Sequence, residues 1–154
     1  MKKNILFFYS RHSSLTNAVR DYACAFRDHS RHRIHYYDLD SAFPDIDLRP
    51  FDCIIFNFCV WGHSLPTHVQ FRASIRGFTG LKIAIFQDEY DYSLWRKDDV
   101  IAMGIDTIVT CVPPEYLRQV YQDKAFEQVE FIHALTGYVP DYMLKMPPPK
   151  PFSE

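Results

Sequence analysis

The stretch Lys82-Ile83-Ala84-Ile85-Phe86-Gln87-Asp88-Glu89-Tyr90 runs from a near-continuous apolar segment straight into four polar residues. A short run that is apolar on both faces predicts a strand buried in the middle of a covered sheet. In open α/β sheets the rim at the carboxyl ends of such strands is where ligands bind. Asp88 and Glu89 fall on that rim, where two adjacent carboxylates serve either solvation or chemistry.

Working outward, similar signals recur. Ile5 to Tyr9 predicts a first strand, followed by the polar loop 10–14, in which Ser13 or Ser14 is placed to cap a helix running to about Arg27. That helix carries Leu15, Val19, Tyr22, Ala23 and Phe26 on one stripe. Arg33 to Leu39 predicts a second strand, the Pro- and Asp-rich segment 40–50 a loop, and Phe51 to Val60 a third strand. A helix is expected across Thr67 to Arg76, stopped by Gly77 and Gly80, before the strand Lys82 to Phe86. Leu94 to Met103 reads as a helix ended by Gly104, and Asp106 to Cys111 as a fifth strand. Pro114 opens a helix through Val120, and Val129 to His133 forms a sixth strand.

Strands alternating with helices over short connections predict a mainly parallel sheet of about six strands in a Rossmann-like three-layer α/β sandwich. The most apolar strands, starting at Ile5, Phe51, Lys82 and Thr107, are expected at its centre. Residues 1–145 form the domain, and the Pro-rich segment 146–154 reads as an extended linker or tail.

Composition narrows the function. At 154 residues the chain has the length of one ordinary domain, and 47% apolar residues are enough for a substantial core. With 13 Phe and 10 Tyr, that core should be rich in aromatic rings. A formal net charge of -2 without a basic stripe gives no reason to expect nucleic acid. Cys24, Cys53, Cys59 and Cys111 form no C-x-x-C pair and read as reduced thiols of a cytoplasmic protein. No stretch is long and apolar enough for a membrane span or a signal-peptide core.

Five loops should converge on the carboxyl edge. They carry Ser10-Arg11-His12, Trp61-Gly62-His63, Gln87-Asp88-Glu89-Tyr90, Cys111-Val112-Pro113 and Thr136-Gly137-Tyr138. With five glycines in the chain, no G-x-G-x-x-G follows the first strand and no P-loop motif exists, so a classical dinucleotide or nucleotide site is not expected. The carboxylates of a phospho-receiver and the Gly-x-Ser-x-Gly elbow of a serine hydrolase are missing too. His29, His32 and His35 straddle a helix end, a turn and a strand, a poor spacing for one metal, and no metal or cofactor is expected. His12 and His63, in rim loops, suit proton transfer or hydrogen bonding to a sugar or phosphate. Arg11 is placed to hold an anion, or to pair with Asp88 or Glu89.

Phe86-Gln87-Asp88-Glu89-Tyr90, Thr110-Cys111-Val112-Pro113 and Leu135-Thr136-Gly137-Tyr138-Val139, in that order, resemble the amino-terminal domain of bacterial GT-B glycosyltransferases of the family 1 or family 4 type. The resemblance spans Phe51 to Tyr142, with a weaker match in the first strand and its loop. It implies that this domain holds the acceptor, while a second, carboxy-terminal domain binds the nucleotide-sugar and carries the paired glutamates of the donor site. The chain stops at Glu154, so the resemblance implies a domain inactive alone. Asp88, Glu89 and His63 are then candidates for catalysis, one of them as the base of an inverting transfer. Ser10, Arg11, His12, Trp61, Gly62, Gln87, Tyr90, Thr136, Gly137 and Tyr138 are candidates for the acceptor site. The alternatives are a non-catalytic binding or interaction module, and a small nucleoside-processing hydrolase that uses Glu89.

Overall fold

The computed structural model describes residues 1–12, 17–41, 46–61, 69–89, 93–135, 137 and 140–145. Six strands form one all-parallel sheet: β1 (Asn4–Tyr9), β2 (Arg33–Asp38), β3 (Cys53–Phe56), β4 (Leu81–Ile85), β5 (Thr107–Thr110) and β6 (Glu130–His133). Their spatial order is β2-β1-β3-β4-β5-β6, a doubly wound α/β sandwich. The four most apolar strands sit at its centre. Phe7, Phe8, Ile54, Phe56, Ala84 and Ile108 have no exposed surface at all, because each faces a layer of chain above or below the sheet.

The helices are α1 (Asn17–His29), α2 (Val69–Gly77), α3 (Ser93–Met103), α4 (Leu117–Val120) and α5 (Asp141–Leu144). α2, α3 and the β5–β6 connection cover one face, over a core that includes Phe8, Phe56, Trp61, Ile75, Phe86, Val100, Met103 and Phe126. On the other face α1 lays Tyr22, Ala23 and Phe26 against Phe7, Ile55 and Phe58, and Tyr36 Oη donates to Ala23 O at 2.5 Å. α5 reaches α1 through Tyr142 Oη, which donates to Asp21 Oδ2 at 2.8 Å. The second layer is thinner over β4 to β6, where Leu81 and Ile132 remain 46% and 44% exposed. Among the described residues, no helix is long and apolar enough to cross a membrane.

Two expected elements differ by more than a residue or two at an end. The third strand stops at Phe56, four residues short of Val60, because Asn57 caps a 3₁₀ turn over Phe58–Val60. Its side chain accepts from Phe58 N at 2.9 Å and offers the backbone an alternative to the strand ladder. The helix expected from Pro114 is a 3₁₀ turn, Pro114–Tyr116, running into the single turn α4. The expected cap at Ser13 or Ser14, Leu15 and the tail 146–154 lie outside the described residues. Gly104 ends α3 as expected: its φ of 63° is left-handed, and Ile105 N closes on Val100 O at 3.1 Å.

Gly80 has a different role. A Cβ there would lie 2.5 Å from Asp52 O and meet the Phe78 ring, so the turn before β4 has no space for a side chain. Gly80→Ala is expected to cost about 1–3 kcal/mol, read as a lower urea midpoint at an unchanged slope. An unchanged midpoint would show that the turn can open.

Between α2 and α3, Arg72 pairs with the buried Asp99, whose carboxyl burial pushes up while Arg72 pulls it down. Arg72 Nε and Asp99 Oδ1 are both buried with no hydrogen-bond partner, so the two charges meet without a well-formed hydrogen bond at that oxygen. A carboxyl whose folded-state pKa is raised favours the fold at low pH and loses that contribution as pH rises through the folded value. Removing the arginine raises the carboxyl further. Arg72→Met is therefore expected to cost about 1–3 kcal/mol at pH 7, and distinctly less in acid, where Asp99 is protonated. Denaturation of both proteins at the two pH values checks it; a pH-independent difference would remove Asp99 as the cause.

Candidate functional site

The parallel sheet brings the carboxyl ends of all strands to one edge, but the described rim residues form two separate clusters. The first lies at β1 and β2. Ser10, fully buried, donates from Oγ to Asp40 Oδ2 at 2.8 Å, and His12 N reaches the same oxygen at 2.8 Å. Arg11 N bonds Asp38 Oδ1 at 3.1 Å, and its Nε stands 3.6 Å from Asp38 Oδ2. The carboxylate that Arg11 meets is thus Asp38, neither Asp88 nor Glu89. β2 ends level with β1, Asp38 opposite Tyr9, so Asp38 and Asp40 just beyond it lie beside the turn that follows β1.

The second cluster lies at β4 and β5. Gln87 and Asp88 are exposed, whereas Glu89 turns inward. Glu89 Oε1 accepts a short hydrogen bond from Thr110 Oγ1, at the end of β5. Thr110 is fully buried, and its Oγ1 also accepts from Val112 N at 3.0 Å. Tyr121 Oη stands 3.5 Å from Glu89 Oε1 and 3.4 Å from Thr110 Oγ1, so its single O–H serves one or the other. The Tyr121 ring is wedged against Phe126 and Phe131, with centroids at 5.1 and 4.7 Å. Burial pushes the Tyr121 phenol up, and the Glu89 charge adds to that, so it remains a neutral donor at physiological pH.

Glu89, Tyr121 and Phe126 border a cleft of about 390 Å³ lined also by Arg96, Lys97, Gln119, Gln122 and Asp123. Its volume is that of a small-molecule site. α3 supplies Arg96 and Lys97; the segment after α4 supplies Asp123, which pairs with Lys97 across the cleft. The Arg96 guanidinium lies over the Phe86 ring, 5.6 Å from its centroid, and Nη1 donates to Asp88 O. Neither Arg11 nor His12 lines this cleft.

Trp61 is placed in the core, 7% exposed between Phe56 and Phe86, with Nε1 donating to Ile85 O at 2.9 Å. Gly137 lies beside α1, with Tyr22, Phe26 and His29. Gly62, His63, Tyr90, Thr136 and Tyr138 fall outside the described residues. Thr110 opens one of the motifs of the resemblance, but neither it nor Tyr121 nor Arg96 is among the candidate site residues of the sequence. Thr110 had a signal, since a polar residue ending an apolar strand stands on the rim; Tyr121 and Arg96 lie mid-segment and had none.

No protein-family model, no curated protein and no solved structure matches this chain.

Proposed function

We propose that residues 1–145 form the acceptor-side domain of a GT-B glycosyltransferase of the hexosyltransferase type, with Glu89 as the base that takes the proton of the acceptor hydroxyl. The observation that carries this reading is the setting of Glu89 at the cleft edge. Thr110 and Tyr121 gather on Oε1, and among the described residues Oε2 accepts no hydrogen bond. A carboxylate held by one oxygen leaves the other to receive a proton in a fixed direction. The sequence contains no phosphate-binding loop, so the nucleotide-sugar is assigned to a second domain. In this reading the transfer takes place in the cytoplasm, a compartment in which the four free cysteines stay reduced.

Titrating the chain with uridine and guanosine diphosphate sugars is expected to give no saturable binding at submillimolar concentration, whereas a glycan array should retain it through the cleft. Tight nucleotide-sugar binding would overturn the division of labour. Release of a free base from nucleosides, abolished in Glu89→Gln, would replace the transferase reading with the hydrolase one.

A further inference from the structure

We infer that the ligand of the Glu89 cleft is a hydroxylated compound that also carries one oxyanion, a carboxylate or a phosphate, seated on Arg96. The inference rests on the acceptor reading above and adds the chemical class of the acceptor.

Four charged side chains line the cleft, and they are not equivalent. Lys97 and Asp123 neutralise each other across it. Glu89 is held by Thr110 with the Tyr121 hydroxyl beside it, Arg96 by a backbone carbonyl and an aromatic ring, and no ion pair joins the two. Two opposite charges thus face one small space without meeting. Arg96 Nε is enclosed with no hydrogen-bond partner, although a buried donor without an acceptor is costly. Nη1 is tied to Asp88 O and Nε is closed off from solvent, so Nη2 is the nitrogen left to donate to an oxyanion in the cleft. Stacking on Phe86 fixes the plane of the guanidinium.

A simple anion would satisfy Arg96 but bring nothing to Glu89, which repels it. A neutral polyol would bond Glu89 and leave the guanidinium without an oxyanion. One molecule with a hydroxyl at one end and an oxyanion at the other answers both.

The test is saturation-transfer NMR of the whole chain with glucose, glucuronate, glucose 6-phosphate, propionate and inorganic phosphate. At least one charged sugar is expected to bind about tenfold or more tighter than glucose, and tighter than propionate or phosphate. Arg96→Gln should erase the advantage over glucose, and Arg96→Lys should restore only part of it, because lysine keeps the charge but lacks the planar group that stacks on Phe86. Circular dichroism establishes that each variant folds. In the wild type, raising salt from about 50 to 500 mM should weaken the charged sugar and spare glucose, a readout that needs no variant. Charged sugars that bind no better than glucose, or a preference that survives Arg96→Gln, would overturn the inference. Glucose binding that is lost in Glu89→Ala would then leave the acceptor reading standing. Propionate or phosphate binding as tightly as the sugars would overturn both, since hydroxyls would have no part.

Discussion

If the proposed function holds, Glu89→Gln is expected to lower sugar transfer in a two-domain protein by roughly two orders of magnitude or more, as losses of a general base commonly do. The fold should be unaffected. The glutamine amide keeps an oxygen where Thr110 Oγ1 and Tyr121 Oη converge, so both hydroxyls retain their acceptor. What disappears is the proton-accepting charge on the other oxygen. The split between kcat and KM carries the diagnosis: a base lost in the transition state lowers kcat with KM little changed. Unchanged turnover at unchanged stability would make Glu89 a solvated rim residue. A large loss of stability with retained specific activity would make it a structural carboxylate that satisfies Thr110 and Tyr121.

Phe8→Ala is expected to cost about 3–5 kcal/mol, a large part of the 5–15 kcal/mol that an ordinary domain has. Phe8 is wholly buried in a central strand and packs on Phe56, Phe71 and Tyr37 at ring-centroid distances of 5.0, 5.7 and 5.8 Å. Three rings from three different elements cannot all close on the space that its removal leaves, so the cavity persists. Ile132→Thr supplies the contrast: it lies on the thinly covered face, 44% exposed, and should cost below about 1 kcal/mol. Urea denaturation of the two variants separates the cases. Equal costs would mean that the face over β4 to β6 is covered in solution.

The fold was legible because it rests on patterns local in sequence. Ile5 to Tyr9 and Lys82 to Phe86 are apolar on both faces, and only a sheet covered on both sides accommodates such strands. Polar segments of helical length between them leave a parallel sheet with crossovers as the consistent arrangement. Boundaries were less legible where a side chain competes with the ladder. Nothing in the apolar run Cys53 to Val60 except Asn57 signals the turn, and an asparagine stops a strand only if its side chain finds the next backbone N–H, as it does here.

The site was half legible. That Gln87, Asp88 and Glu89 stand on the carboxyl rim follows from the strand before them, and the sequence alone determined it. Which rim residues meet is a matter of strand order, and that was decided in three dimensions. β1 and β4 are separated by β3, so Arg11 turns to Asp38 at the end of β2 and His12 to Asp40 just beyond it, while Glu89 turns to Thr110 on β5. Trp61 sits in a rim loop by sequence, yet its indole is drawn into the core between Phe56 and Phe86, because burying a large ring whose N–H finds Ile85 O is favourable. Tyr121 and Arg96 come from the middle of connecting segments, where one side chain among many is aimed at Glu89 only by how those segments pack. The sequence by itself determined the strands, the parallel sheet and the rim position of Glu89; packing across the sheet decided which partners Glu89 has, since contacts between distant segments depend on strand order and leave no periodic trace in the chain.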